Sequence, residues 1–303
     1  MVKSTVVVTR HIRNLRGSSQ PFLAEASDGK QYVVKPLSDQ IGNQLFNEGV
    51  GAELYSAFGY SVPKWKPLLL TDQFIKDSSE EIAKRQGRAH PHSGLAFGSL
   101  FLGESNKDLL EVLPGAAWSR VRNRTSFLGS WMIDICAHHT DNRQVIFTRD
   151  ADRLLNATFI DHGHLLGGVS GNVNPHIMAS RYLDPRVYPD VSTCNISAFV
   201  TSILEVDTEN LWRQSTTLPE EWKTSSAVKA FEDCLHRMHD AKLLQNIADQ
   251  MLHAMQSGSE RQCTQNDSNR GTCAEVLCPF VPNKRRCSVP IDVAFAHRMC
   301  LAR

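Results

Sequence analysis

The spacing of apolar residues at the amino-terminal end predicts a β-hairpin followed by a helix. Two β-rich runs, residues 21–26 and 31–35, flank the turn sequence Asp28-Gly29, which is a strong short-range signal for a hairpin. From residue 41 to residue 58, apolar side chains recur at helical spacing, and Gly59 is placed to end the helix. This first part of the chain is therefore expected to be mainly β-structure with one helix.

Farther along, the pattern changes to buried helices with one further hairpin. Residues 71–93 are polar and predict a short helix with an exposed loop, and residues 94–102 predict a strand. A long buried helix is expected over 124–139, followed by two short strands, 145–147 and 154–160, joined by a tight turn. After residue 163 the periodicity is helical, and it includes a continuous amphipathic helix over 235–255.

Composition changes near residue 257. The segment 257–303 is rich in polar residues, and it holds five of the eight cysteines of the chain. We expect this tail to lie outside the core and to be largely unstructured. Its cysteines and one histidine could also bind zinc, although their spacing is not that of paired Cys-x2-Cys ligands; the candidate ligands are Cys273, Cys278, Cys287, His297 and Cys300.

Charge and hydropathy restrict the class of protein. The 303 residues have a formal net charge of +1, which gives no signal for a nucleic-acid-binding face. No apolar run approaches the roughly 18 residues of a membrane span, and no signal-peptide pattern is present at the amino terminus. The sequence accordingly predicts a cytoplasmic protein with reduced cysteines and no membrane partner.

Two charged residues occupy positions where the pattern predicts burial. Lys35 ends the apolar strand YVVK, and Glu48 lies in an apolar row of the following helix. Each alone could be a solvated side chain. Because burying one charge without a partner is costly, their joint presence favours a buried ion pair between strand and helix.

Two aspartates lie at the open end of the second predicted hairpin. Asp141 precedes its first strand and Asp161 follows its second, so the two carboxylates should be neighbours. One could orient a hydroxyl nucleophile, while the other holds a divalent cation that bridges phosphates. Gln144 could supply an amide oxygen to the same ion, and Gly163 lets the chain turn directly after it. Alternatively, both aspartates could be turn or cap residues.

Histidines near these aspartates leave a second kind of site open. Four imidazoles accompany Asp141, and His and carboxylate side chains are suitable ligands for Zn²⁺, Mn²⁺ or Fe²⁺. A metal-dependent hydrolase is therefore an alternative, although no H-E-x-x-H helix is present. The histidines are His138, His139, His162 and His164.

Four segments together resemble the HipA-like kinase domain of bacterial proteins. They read, in order, RGSSQPFLAEASDGKQYVVKP, NEGVGAELYSAFGYSVP, SFLGSWMIDICAHHTDNRQVIF and ATFIDHGH, within about residues 8–240. The resemblance implies an α+β, two-lobed protein-kinase-like fold that uses ATP and Mg²⁺. The mainly β lobe, with one helix, would span 1–104 with a hinge near 98–104, and the mainly helical catalytic lobe would span 105–256.

The resemblance also implies roles for individual residues. Lys35 would bind phosphate with Glu48 as its partner, Asp141 would be the catalytic aspartate, and Gln144 and Asp161 would bind the metal ion. The loop before the first hairpin strand would lie over the phosphates, with its backbone N–H groups as an anion nest; its residues are Gly17, Ser18, Ser19 and Gln20.

Two departures from the general kinase pattern keep another function open. The chain has no G-x-G-x-x-G, and Thr140 precedes the catalytic aspartate in place of arginine. The expected reaction is transfer of a phosphoryl group from ATP to a protein Ser or Thr hydroxyl. The alternative is a nucleotide-binding, pseudokinase-like module that acts through partners.

Overall fold

The computed structural model of the chain describes residues 5–17, 19–38, 43–82, 91–103, 109–150, 152–168, 171, 180–188, 193–264, 275–277 and 286–288. Its amino-terminal part is a five-stranded antiparallel sheet, in which the third and fifth strands are neighbours and the fourth lies at one edge. The strands are β1 (Val8–Asn14), β2 (Phe22–Ala26), β3 (Gln31–Lys35), β4 (Trp65–Leu70) and β5 (Gly94–Leu100).

The predicted first hairpin is confirmed as β2 and β3. Phe22 is paired with Val34 across the two strands, and the turn at Asp28-Gly29 is closed by a 3.0 Å hydrogen bond from the Ala26 N–H to the Lys30 carbonyl. Because β3 runs on past Val34, Lys35 lies at the end of the sheet where the chain enters β2. The loop that precedes β2 is therefore at the same end of the sheet as Lys35.

Helix α1 (Gln44–Ala57) follows β3 and ends as the sequence predicts. Gly59 has φ +70, a left-handed conformation that glycine adopts without steric cost. The N–H of Gly59 donates to the Ser56 carbonyl at 2.9 Å, and the N–H of Tyr60 donates to the Tyr55 carbonyl at 3.1 Å. These two bonds form a Schellman motif, which satisfies carbonyls that the helix end would leave unpaired.

Two cores are present in the described residues. One lies against the sheet and is covered by α2 (Asp72–Asp77) and α3 (Ser79–Ile82), with Phe22, Leu68 and Phe74 among its members. Helix α1 belongs to the other, larger core, which continues through the helical part of the molecule. The large side chains that α1 contributes to it are Leu45, Phe46, Val50, Leu54 and Tyr55.

The carboxy-terminal part is mainly helical and contains the second predicted hairpin. Its two strands pair in register from Gln144 opposite Ile160 to Arg149 opposite Leu155, and a short third strand joins them. The elements are β6 (Leu109–Leu110), α4 (Ser126–Cys136), β7 (Gln144–Arg149), β8 (Leu155–Ile160), α5 (Thr193–Leu204), α6 (Thr208–Thr216), α7 (Ser225–Met238), α8 (Ala241–Thr264), β9 (Glu275–Leu277) and β10 (Arg286–Ser288).

One helix prediction is wrong. The continuous helix expected over 235–255 is interrupted at His239 and Asp240, between α7 and α8. The Asp240 carboxylate accepts hydrogen bonds from the N–H groups of Lys242 and Leu243, both at 3.0 Å. An aspartate that satisfies the free N–H groups of a first turn starts a new helix, even though the apolar periodicity continues across it.

The predicted lobe boundaries fall partly outside the described residues. Gly98, placed in the hinge by sequence, is paired on both sides within β5, and the sheet ends at Leu100. Residue 104 lies outside the described part. The boundary predicted at 256 falls within α8, which continues to Thr264. Most of the predicted tail lies outside the described residues, including four of the five candidate zinc ligands, and Cys287 is on β10.

Candidate functional site

Lys35, Glu48 and Asp161 form one cluster between the sheet, α1 and the end of β8, in which Lys35 and Glu48 are buried and Asp161 is partly exposed. The Lys35 Nζ contacts the Glu48 Oε1 and lies 2.6 Å from the Asp161 Oδ1. Lys35 is 9% exposed and Glu48 is 2% exposed. The buried ion pair expected from the sequence is therefore present, and it has a third member from a distant part of the chain.

The charges of this cluster determine its protonation. Burial on its own would lower the pKa of Lys35, but the negative charges of Asp161 and Glu48 outweigh it and hold that pKa above its ordinary value. Burial likewise favours the neutral form of Asp161, and Lys35 reverses this, keeping the pKa of Asp161 well below its usual range. Burial raises the pKa of Glu48, whereas Lys35 and a backbone N–H oppose the rise.

Glu48 also binds the backbone of the turn that follows Asp161. Its Oε2 accepts the N–H of His162 at 3.1 Å, and its Oε1 accepts the N–H of Gly163 at 2.8 Å. This contact requires a close approach of helix and turn: a Cβ on Gly51 would lie 2.4 Å from the His162 Cβ. The glycine within α1, unfavourable for helix formation, is thus explained by packing.

Asn47, one residue earlier on α1, fixes the same turn. Its Nδ2 donates to the carbonyls of Gly163 at 3.1 Å and Leu165 at 2.7 Å, and the side chain is fully buried. Sequence reasoning missed Asn47. The available signal was an amide side chain one position from Glu48 on a helix whose pattern predicted burial.

Asp161 and Gln144 face each other across the end of the hairpin. Ile160 is opposite Gln144 in the ladder, so the next residue, Asp161, can reach it, and the Gln144 Nε2 is 2.6 Å from the Asp161 Oδ2. A carboxylate and an amide supply the hard oxygen ligands that Mg²⁺ prefers, with remaining positions left for water or phosphate. This donor set fits a divalent cation.

Asp141 lies on the segment before β7, next to the turn that follows Asp161. Its carboxylate accepts the N–H of Asn142 at 2.7 Å and is 43% exposed, so it is accessible to an incoming group. The Asp141 Oδ2 is 3.9 Å from the His164 Nε2. The N–H of Thr140 donates to the His164 carbonyl at 3.0 Å, which ties this segment to the turn after Asp161.

The loop between β1 and β2 does not offer all the backbone donors that the sequence suggested. Of the predicted donors, the Gln20 N–H donates to the Gly17 carbonyl at 3.3 Å and is therefore used within the loop. The ends of the loop are joined by a 2.8 Å hydrogen bond from the Leu15 N–H to the Pro21 carbonyl. Ser19 is buried. Ser18 lies outside the described residues.

Beneath the hairpin lies a buried ion pair that sequence reasoning also missed. Asp134 of α4 and Arg143, on the segment before β7, make two hydrogen bonds, and the Tyr55 hydroxyl donates to the same carboxylate at 2.7 Å. The signal was Asp134 itself, a carboxylate inside the apolar helix sequence SFLGSWMIDIC. Its partner is nine residues away, a spacing that no helical or strand pattern connects.

Two of the four histidines near the hairpin, His139 and His162, contact other groups of this region. Within the described ranges, no three His, Cys, Asp or Glu side chains are grouped as metal ligands. His139 is buried with its Nδ1 2.6 Å from the Asp141 carbonyl, and burial together with the Arg143 charge lowers its pKa to about 4. The His162 Nδ1 is 3.3 Å from the Arg143 Nη1. These positions do not support the hydrolase alternative.

The fold and part of the sequence match known kinases. The family model of HipA-like kinases matches residues 6–112, which confirms the resemblance over this part of the chain. The match includes Lys35 and Glu48, whereas Asp141, Gln144 and Asp161 lie beyond it. No curated protein matches the sequence.

Solved structures show the same architecture. The crystal structure of the Golgi casein kinase with Mn/ADP bound has a TM-score of 0.53 and 14% identity, covering 80% of this chain and 73% of that chain. A second crystal structure of the Golgi casein kinase has a TM-score of 0.51 and 14% identity, covering 81% of this chain and 72% of that chain. The predicted α+β protein-kinase-like fold is therefore confirmed.

Across the described residues, no helix is both long and apolar enough to cross a membrane. The cytoplasmic location expected from the sequence stays a prediction.

Proposed function

We propose that this chain is an ATP- and Mg²⁺-dependent phosphotransferase of the HipA-like kinase type, with a protein Ser or Thr hydroxyl as its acceptor. The observation that carries the proposal is the joint contact of Lys35 with Glu48 and Asp161, beside Gln144. In a kinase-like fold, this arrangement presents a fixed ammonium group and oxygen ligands to the phosphates of a nucleotide.

Each residue of the proposed site has its own role in this reaction. Lys35, held by Glu48, donates hydrogen bonds to phosphate oxygens. Asp161 and Gln144 would hold the metal ion, which supplies charge neutralisation at the phosphates when bound. Asp141 orients the acceptor hydroxyl and takes its proton as the new oxygen–phosphorus bond forms and the bond to the leaving ADP oxygen breaks.

Catalysis of this kind depends on positioning rather than on covalent chemistry. The close contact of α1 with the turn at 162–164 keeps Glu48 on Lys35, and the Glu48 bonds to the turn fix the backbone next to Asp161. The site is therefore built from both parts of the fold. The loop at 16–20 would lie over the phosphates, as the resemblance to HipA-like kinases implies.

The test is to compare nucleotide binding and phosphoryl transfer in matched aspartate variants. Wild type, Asp141→Asn, Asp161→Asn and the control Asp152→Asn would be titrated with ATP and Mg²⁺ by thermal shift, then incubated with γ-labelled ATP. Asp152 is exposed in the turn at the opposite end of the same hairpin. Label should be transferred by wild type and the control, but not by the other two variants.

The binding of ATP with Mg²⁺ distinguishes the proposed role of Asp141 from that of Asp161. Asp141→Asn should retain the Mg²⁺-dependent thermal shift, because Asp141 acts on the acceptor, whereas Asp161→Asn should lose it. If wild type binds ATP with Mg²⁺ but never transfers or hydrolyses phosphate, the chain is a nucleotide-binding module. Absence of any ATP-dependent shift would refute nucleotide binding altogether.

A further inference from the structure

Arg143 is a buried arginine next to the candidate site. Its side chain is 1% exposed, and the guanidinium lies 4.8 Å from the centre of the Tyr55 ring. The Arg143 Nε donates to the Asp134 Oδ2 at 2.9 Å, and the Nη2 donates to the Asp134 Oδ1. These contacts use one edge of the guanidinium and balance its charge.

The remaining nitrogen contacts both neighbours of Asp161. The Arg143 Nη1 donates to the Ile160 carbonyl at 3.1 Å and lies 3.3 Å from the His162 Nδ1. Asp161 itself has φ +59, in the left-handed region that costs a non-glycine residue conformational energy. A strained conformation persists only where its surroundings hold it. Arg143 holds the residue before the strained position and the residue after it.

We propose that Arg143 is a positioning residue that fixes the strained conformation of Asp161 and thereby directs its carboxylate toward Lys35 and the metal ion. Asp134 in turn fixes Arg143. This inference rests on the proposed function for the metal ion, although the conformational part can be measured without any activity.

The geometry requires an arginine rather than any buried cation. A guanidinium is a rigid planar fork with five N–H donors, so it can bind Asp134, Ile160 and His162 together. A lysine ammonium in the same place would keep the charge but could not keep all three contacts in this plane. Replacement by lysine therefore tests the positioning role and leaves the buried charge balanced.

The variants separate positioning from a purely structural role. Asp134→Asn leaves a buried unpaired cation and should lower Tm strongly. The double variant Asp134→Asn with Arg143→Gln removes both charges, and it should recover most of the lost Tm. It nevertheless lacks the guanidinium contacts to Ile160 and His162. The control is Arg149→Lys, which changes an exposed arginine at the far end of β7.

Two measurements are made on each full-length variant. One is the Mg²⁺ concentration that gives half-maximal binding of ATP, followed by fluorescence of a labelled ATP analogue. It should rise at least tenfold in Arg143→Lys and in the double variant, while the control stays within twofold. The other is hydrogen exchange of the segment 155–168, whose protection should fall in the same two variants and remain in the control.

The outcomes are distinguishable. If the double variant recovers Tm, Mg²⁺ affinity and exchange protection together, Arg143 serves only stability and the inference is wrong. Unchanged protection in Arg143→Lys also overturns it. If wild type binds no ATP with Mg²⁺, the proposed function fails, and the exchange data still decide whether Arg143 fixes the turn.

Discussion

The replacement of Gly51 by alanine should weaken both the fold and the site. A Cβ at this position would lie 2.4 Å from the His162 Cβ and 2.6 Å from the Leu165 Cδ1. The first of these atoms is fixed directly to the backbone and cannot rotate away. Either α1 or the turn must move, and any such movement pulls Glu48 away from its bonds to the His162 and Gly163 N–H groups.

Gly49 provides a matched comparison in the same helix. Its added Cβ would meet the Leu218 Cδ2 at 2.9 Å, which is the flexible end of a side chain. Both alanine variants gain about 1 kcal/mol of helix propensity. Overpacking costs about 1–3 kcal/mol, and only Gly51→Ala meets a rigid neighbour. Gly51→Ala should therefore be less stable than Gly49→Ala by about 1–3 kcal/mol, because the propensity gain cancels in the comparison.

Urea unfolding measures the stability difference, and labelled phosphoryl transfer from ATP measures the effect on the site. We expect Gly51→Ala to lose at least tenfold in transfer rate, with Gly49→Ala within about threefold of wild type. A tenfold loss in rate corresponds to about 1.4 kcal/mol of activation free energy, and loss of the Glu48 contacts is sufficient to cause it. Equal stability and equal activity of the two variants would refute the reasoning that close helix–turn contact builds this site.

Three other changes test separate parts of the structure. Lys35→Met leaves the buried Glu48 and the partly exposed Asp161 without their cation, so it should cost about 3–5 kcal/mol in urea unfolding and abolish ATP binding by calorimetry; exposed Lys64→Met should do neither. Because Lys35 holds the pKa of Asp161 below its unfolded value, the stability from ionised Asp161 is complete above about pH 4 and is lost at lower pH. The difference in unfolding free energy between wild type and Asp161→Asn should therefore be constant from pH 6 to 8 and shrink below pH 4; a constant difference at pH 3 would contradict this. Asp240→Ala removes the cap of α8 and should cost about 1 kcal/mol in urea unfolding; no change would mean that the cap does not determine the break.

Local signals predicted the local structure well. The turn at Asp28-Gly29 and the end of α1 at Gly59 depend on residues within a few positions of each other, and both predictions are confirmed. The break at Asp240 was missed because apolar periodicity reports only which face is buried. A helix cap depends on hydrogen bonds between a side chain and the backbone, and the spacing of apolar residues gives no information about them.

The candidate site was predictable only where a charge stood in an apolar pattern. Lys35 and Glu48 stood out in this way, and their contact follows from the cost of burying either alone. Asp134 carried the same signal, but its partner Arg143 lies in a polar stretch and gave none. The hydrogen bond of the Gln20 N–H within its loop also could not be predicted from the sequence, because hydrogen bonds in a loop depend on the path of the backbone.

Helix α1 has a consequence for how the chain can be divided. By sequence it belongs to the lobe that was predicted to end near residue 104, yet its large apolar side chains lie in the core shared with α4, α7 and α8. A fragment cut near residue 104 would expose that face to water and leave Glu48 without the backbone donors of the turn. We therefore expect the sheet part and the helical part to unfold in one transition, and α1 to reach its native contacts only after β8 and the turn that follows it have been synthesised.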